Sequence, residues 1–126
     1  MSQPLRIVVC DDSVDVARTL ALLLEMEGHE VRVVHSGLAV LEAAQRQPPD
    51  VVLLDLGLAS APDGVETARR LRRDLGLTDA LLVAVTGASG DEDRRRTREA
   101  GFDLHLVKPA EPAELLEALQ RAQRRP

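Results

Sequence analysis

Short apolar runs alternate with amphipathic stretches along all 126 residues of the chain. Leu5–Cys10 is rich in β-branched residues and predicts a buried strand. Ser13–Glu27 follows as a helix, with Val14, Ala17, Ala21 and Leu24 at helical spacing and Gly28 where a helix stops. Glu30–His35 predicts a second strand. Ser36 is placed to cap a helix running to about Gln47, which Pro48-Pro49 ends. Asp50–Asp55 carries Val51-Val52-Leu53-Leu54 with no polar alternation, the pattern of a central parallel strand covered on both faces. A loop through Pro62 leads to a helix over about Asp63–Leu75. Leu81–Thr86 is another apolar strand, and Asp91–Ala100 a highly charged helix closed by Gly101. Leu104–Val107 predicts the last strand. A final helix runs from about Pro112 to Arg124, with Leu115, Leu116 and Leu119 expected to face inward.

Five βα units in strict alternation predict an α/β fold: a doubly wound, five-stranded parallel sheet of order 2-1-3-4-5 with five helices on its two faces. There is no internal repeat and no linker composition, so residues 1–126 read as one domain with its core over about 5–121.

In such sheets ligands bind beyond the carboxyl ends of the strands. Strand 1 ends in Asp11-Asp12, strand 3 in Asp55, strand 4 in Thr86-Gly87 and strand 5 in Lys108-Pro109. The fold would bring three carboxylates, one hydroxyl and one ammonium to one rim. Clustered carboxylates repel unless they protonate or bind a cation. Hard oxygen ligands suit Mg²⁺, which keeps open positions for phosphate oxygens. An Asp carboxylate can act as a nucleophile toward phosphorus and form an aspartyl-phosphate. Lys108 would stabilise charge on the phosphoryl group in transfer, and Thr86 would donate its hydroxyl to a phosphate oxygen. Each residue also has a plainer reading: Asp12 as a helix cap in competition with Ser13, Asp55 as a turn residue, Lys108 as an ordinary surface lysine and Thr86 as a plain strand-end residue.

Composition narrows the classes. The formal net charge is −5, and Phe102 is the one aromatic residue, so neither polyanion binding nor base stacking on single strands is expected. Arginines cluster at Arg69–Arg73, Arg94–Arg98 and Arg121–Arg125, each in a helical pattern that reads as a solvated face. Cys10, the one cysteine, lies in an apolar run and reads as a buried, inert thiol. No apolar run approaches the roughly 18 residues of a membrane span, and no leader segment is evident. A soluble, cytoplasmic protein is expected.

The motifs Asp11-Asp12, Asp55, Asp63-Gly64, Thr86-Gly87 and Lys108-Pro109, in this order and at these strand ends, resemble the receiver domain of two-component response regulators, the chemotaxis regulators included. The resemblance covers about Leu5 to Arg121 and implies the flavodoxin-like fold. It implies Asp55 as phosphoacceptor, with Mg²⁺ bound by Asp12, Asp55 and the backbone carbonyl of Gly57, and by Asp11 partly through water. Thr86 would be the switch hydroxyl, Lys108 would pair with the phosphate, and the Lys108–Pro109 peptide would be cis. The donor would be a sensor histidine kinase or phosphotransfer protein. The receiver would catalyse its own phosphorylation and dephosphorylation without turning over a separate substrate.

The output would be a changed contact with a downstream protein target through helix 4, strand 5 and helix 5, because 126 residues leave no room for a DNA-binding domain. A phosphorylation-dependent homodimer through that face, no direct nucleic-acid contact and no membrane insertion complete the expectation. Three features depart from the family pattern. His105 stands where an aromatic switch residue is usual, the loop from Asp55 to Gly64 is one residue longer, and both Gly57 and Ala88 are small. Two other functions compete: a phosphorylation-independent pseudo-receiver adaptor, and a phosphatase, which would need a second Asp where Gly57 stands. His29 and His35 read as ordinary turn or surface residues.

Overall fold

The unbroken apolar runs become the middle of a sheet. A computed structural model describes residues 3–87 and 90–124. Strands β1 (Arg6–Cys10), β2 (Glu30–Val34), β3 (Val51–Asp55), β4 (Leu81–Thr86) and β5 (Leu104–Val107) pair in parallel in the order β2-β1-β3-β4-β5. Helices α1 (Val14–Met26), α2 (Gly37–Arg46), α3 (Gly64–Arg73), α4 (Asp91–Ala100) and α5 (Pro112–Gln123) connect and follow them. Every residue of β3 and β4 is buried, as two-faced coverage requires, whereas β2 at the edge is largely exposed.

The period of two along each strand divides the core. Ile7, Val9, Val51, Leu53 and Val83 point to one face and pack against α1 and α5 through Ala17, Leu20, Leu24, Leu115 and Leu119. Val8, Val52, Leu54, Leu82 and Ala84 point to the other and pack against α2, α3 and α4. Val14 does not join the core and is 52% exposed. It opens α1 above the carboxyl edge of the sheet, one turn before the inward stripe begins at Ala17. Leu116 is 38% exposed, since it lies one residue, about 100°, off the stripe of Leu115, Ala118 and Leu119.

Ser13, not Asp12, caps α1: its Oγ accepts from Val16 N at 3.3 Å. Ser36 caps α2 and Asp63 caps α3 in the same way. Helix α4 is held more lightly, with only Thr97 and Ala100 buried and no side-chain cap.

Arg72 departs from the solvated-face expectation. Its side chain is only 18% exposed and ties α3 to Gly101 O, Leu77 O, Ala80 O and Asp103. Gly101 ends α4 at φ +107°, and a Cβ there would stand 2.7 Å from Arg72 Cγ. Both facts require glycine. Among the described residues no helix is long and apolar enough to cross a membrane. Ala88 and Arg125 lie outside the described residues.

Candidate functional site

The register of the three central strands assembles an acidic cluster. Cys10 pairs with Leu54 across β1 and β3, and Asp55 pairs with Val85 across β3 and β4. Asp11 and Asp55 therefore leave the sheet side by side. Both are nearly fully buried, at 2% and 5% exposed, and Asp12 is exposed beside them. One carboxylate oxygen from each of Asp11, Asp12 and Asp55 lies within 4.8 Å of the other two.

Each buried carboxylate is held at both oxygens. Asp11 Oδ1 accepts from Ser13 N at 2.9 Å, and Asp55 Oδ1 accepts from Gly57 N at 2.8 Å. Lys108 Nζ takes the remaining pair, 3.1 Å from Asp11 Oδ2 and 3.2 Å from Asp55 Oδ2. Lys108 is held there by its backbone, whose N–H donates to Thr86 O at 2.8 Å. That bond continues the β4–β5 ladder beyond the Thr86–Val107 pair and brings Thr86, itself buried, to the same rim. The Lys108–Pro109 peptide is cis, and so is Ala61–Pro62 in the loop after Asp55.

Burial works against the charge on Lys108, but the hydrogen bond to Asp11 and the charge of Asp55 outweigh it, so its pKa is raised. The Cys10 thiol, just beneath, is pushed up to about 12, first by burial and then by the charges of Asp55, Asp11 and Asp12. It is buried and not nucleophilic at neutral pH.

The donor set fits a hard divalent cation: three converging carboxylates with one open, exposed member. Gly57 reaches this cluster through its N–H to Asp55. A Cβ at Gly57 would stand an ordinary 3.4 Å from Asp55 Oδ1, so packing alone does not demand glycine there. His105 lies apart from the acids, half-buried against α4 with Nδ1 3.4 Å from Thr97 Oγ1. His35, read from the sequence as an ordinary turn residue, places Nδ1 2.9 Å from the backbone carbonyl of Asp11. The signal for that contact lay in the strand order. With β2 beside β1 and Cys10 opposite Val34, the residue after Val34 falls opposite Asp11.

Comparison with known proteins agrees with this architecture. The response regulator receiver domain family matches residues 7–120. The DNA-binding response regulator MtrA of Mycobacterium tuberculosis (strain ATCC 25618 / H37Rv) is 35% identical over 120 residues, covering 95% of this chain and 51% of that protein. The transcriptional regulatory protein CreB of Escherichia coli (strain K12) is 39% identical over 118 residues, covering 91% of this chain and 49% of that protein. The chain thus spans about half the length of these curated relatives. Among solved structures, chemotaxis response regulator CheY4 of Vibrio cholerae superposes with a TM-score of 0.87 at 25% identity, over 95% of this chain and 99% of that one. The BeF3-activated N-terminal receiver domain of Klebsiella pneumoniae RstA does so with a TM-score of 0.85 at 30% identity, over 95% and 99%. On its sequence, its strand order and its fold, the chain belongs to the response regulator receiver domain family of two-component systems.

Proposed function

We propose that Asp55 accepts a phosphoryl group from the phosphohistidine of a sensor histidine kinase or phosphotransfer protein. The observation that carries this reading is the placement of Lys108 Nζ against both Asp55 and Asp11. A carboxylate oxygen of Asp55 attacks phosphorus, the bond from phosphorus to the donor imidazole breaks, and that imidazole takes up a proton. Asp11, Asp12 and Asp55, with the Gly57 carbonyl, would hold Mg²⁺, which when bound draws off charge from the phosphoryl oxygens. Lys108 supplies a fixed positive charge beside the group in transfer. Thr86, at the same rim, donates its hydroxyl to a phosphoryl oxygen after transfer. An apolar groove lined by Val16, Leu20, Leu23, Pro109 and Ala110 adjoins Lys108 and offers the donor protein a surface next to the acceptor.

The output in this reading is a change in the face made by α4, β5 and α5, followed by a new contact with a protein target or a second copy of the chain. The light anchoring of α4 supports it, since weakly packed elements move at the lowest cost. His105, set against Thr97 of α4, replaces the family's aromatic ring as the side chain that would follow Thr86. MtrA and CreB are by name a DNA-binding and a transcriptional regulator; for this chain a protein contact in the cytoplasm is the proposed output.

Acetyl phosphate with Mg²⁺, read by intact mass, tests the chemistry. The wild-type chain should gain the mass of one phosphoryl group, and Asp55→Asn should gain none. No gain by wild type, under conditions that label a control receiver, would favour the phosphorylation-independent adaptor.

A further inference from the structure

We infer that His35 is a positioning residue of the cation site: it fixes the peptide that joins Asp11 to Asp12 and so sets how tightly the site takes a divalent cation. The inference rests on the reading of Asp11, Asp12 and Asp55 as the cation-binding set.

The carbonyl that faces His35 Nδ1 at 2.9 Å belongs to the Asp11–Asp12 peptide. A carbonyl only accepts, so Nδ1 carries the hydrogen and the imidazole donates. The β1–β2 ladder ends with the Cys10–Val34 pair, and one further backbone bond, Asp11 N to Val34 O, follows at 3.3 Å. Beyond it the His35 side chain takes over from the ladder and holds the next carbonyl. The Asp11 side chain is fixed independently, by Ser13 N and Lys108. Asp12 is not. It is exposed, and no side-chain partner of Asp12 is found among the described residues. Its place beside two like charges is set by its backbone, held after it where Ser13 N donates to Asp11 Oδ1 and before it by His35.

Three carboxylates within 4.8 Å repel one another. Without the His35 bond this peptide can tilt between its two remaining anchors, Asp11 N to Val34 O and Ser13 N to Asp11 Oδ1. Asp12 then shifts outward and relieves that repulsion, and a cation must bring it back at a cost in affinity. Partners that orient metal-binding carboxylates tune affinity in this way. Asparagine tests the hydrogen bond itself, because its Nδ2 stands at the position of the imidazole Nδ1 relative to Cβ and also donates.

The experiment is calorimetric titration of Mg²⁺ into the full chain as wild type, His35→Ala and His35→Asn, with the Tm of each measured without Mg²⁺. His35→Ala should bind Mg²⁺ about three- to tenfold more weakly, the worth of one hydrogen bond, with its metal-free Tm lowered by only a few degrees. His35→Asn should return to within roughly twofold of wild type. Wild-type affinity in His35→Ala, equal weakness in His35→Asn, or a metal-free His35→Ala that is unfolded would each overturn a positioning role at this site. Absence of Mg²⁺ binding by wild type would instead overturn the cation site, and this inference with it.

Discussion

Lys108 Nζ stands 3.2 Å from Asp55 Oδ2, and the same ammonium stands 3.1 Å from Asp11 Oδ2. One cation thus occupies an oxygen of each buried carboxylate. Its raised pKa keeps it charged throughout the neutral range. That position would make Lys108 both a helper of the proposed phosphoryl transfer and a competitor of a divalent cation.

Removing it should move two measurements in opposite directions. In Lys108→Ala, Mg²⁺ should bind several-fold more tightly, because a like charge has left the carboxylates. Phosphoryl uptake from acetyl phosphate should slow about a hundredfold, because a fixed positive charge has left the group in transfer. Calorimetry reads the first and a mass time course the second. A variant that loses Mg²⁺ affinity and uptake together would show that Lys108 merely holds the site in shape.

Arg72 carries a separate expectation about stability. Its Nε and Nη2 donate to Gly101 O at 3.0 and 2.8 Å, its Nη1 to Leu77 O and Ala80 O at 2.8 and 2.9 Å, and its Nη2 to Asp103 at 2.9 Å. The same Asp103 oxygen accepts from Leu82 N. Arg72→Met keeps the stem and leaves three carbonyls and a half-buried carboxylate short of a donor. We expect a loss of about 3 kcal/mol in urea unfolding. Arg72→Lys should recover only a small part, since an ammonium does not reproduce the fork. A loss below about 1 kcal/mol in Arg72→Met would mean that water replaces the guanidinium freely.

The contrast between Arg72 and Asp55 shows what local pattern can carry. Asp55 was legible because Val51-Val52-Leu53-Leu54 marks a central strand, and in a parallel sheet every central strand delivers its last residue to one rim. The same reasoning placed Asp11, Asp12, Thr86 and Lys108 without any knowledge of side-chain direction. Arg72 sits in a run of arginines whose neighbours are solvated, and only the approach of Gly101, nearly 30 residues away, distinguishes it. Val14 failed for a related reason, since helical period says which residues share a face, not how far the opposing sheet extends along it. Leu116 failed because it lies about 100° off the stripe of Leu115, Ala118 and Leu119. The contact of His35 needed the strand order and register to be combined, two steps beyond periodicity.

His29 makes stability depend on pH in a defined direction. Its Nδ1 accepts from Leu5 N at 3.0 Å, which only the unprotonated nitrogen can do. Burial holds its pKa below the ordinary 6.5, with Glu27 pulling weakly the other way. Below pH 6.5 the unfolded chain therefore binds more protons at this residue than the folded one, and stability falls as pH falls. Above 6.5 the contribution is fully present. His29→Asn keeps an acceptor, Oδ1, at the same position and removes the titration. Thermal unfolding of both proteins from pH 7.5 to 5 should show wild type losing Tm faster than His29→Asn below about pH 6.5. Parallel curves would mean that His29 protonates without disturbing Leu5.

Cys10 tests the packing beneath the acidic cluster. Its thiol is buried, and its pKa is pushed up to about 12 by burial and by the carboxylates of Asp55, Asp11 and Asp12. At pH 7 only about one thiol in 10⁵ would then be ionised, against a few per cent for a free cysteine. Alkylation by iodoacetamide requires both thiolate and access, so the folded chain should label at least a thousandfold more slowly than the chain in urea. Any cation that binds the three carboxylates weakens the field that opposes ionisation, but it leaves the burial in place. Saturating Mg²⁺ should therefore leave native Cys10 protected. Rapid labelling of the native chain in Mg²⁺ would show that cation binding opens the floor of the site, and that the carboxylates are not held by the packed carboxyl ends of β1 and β3.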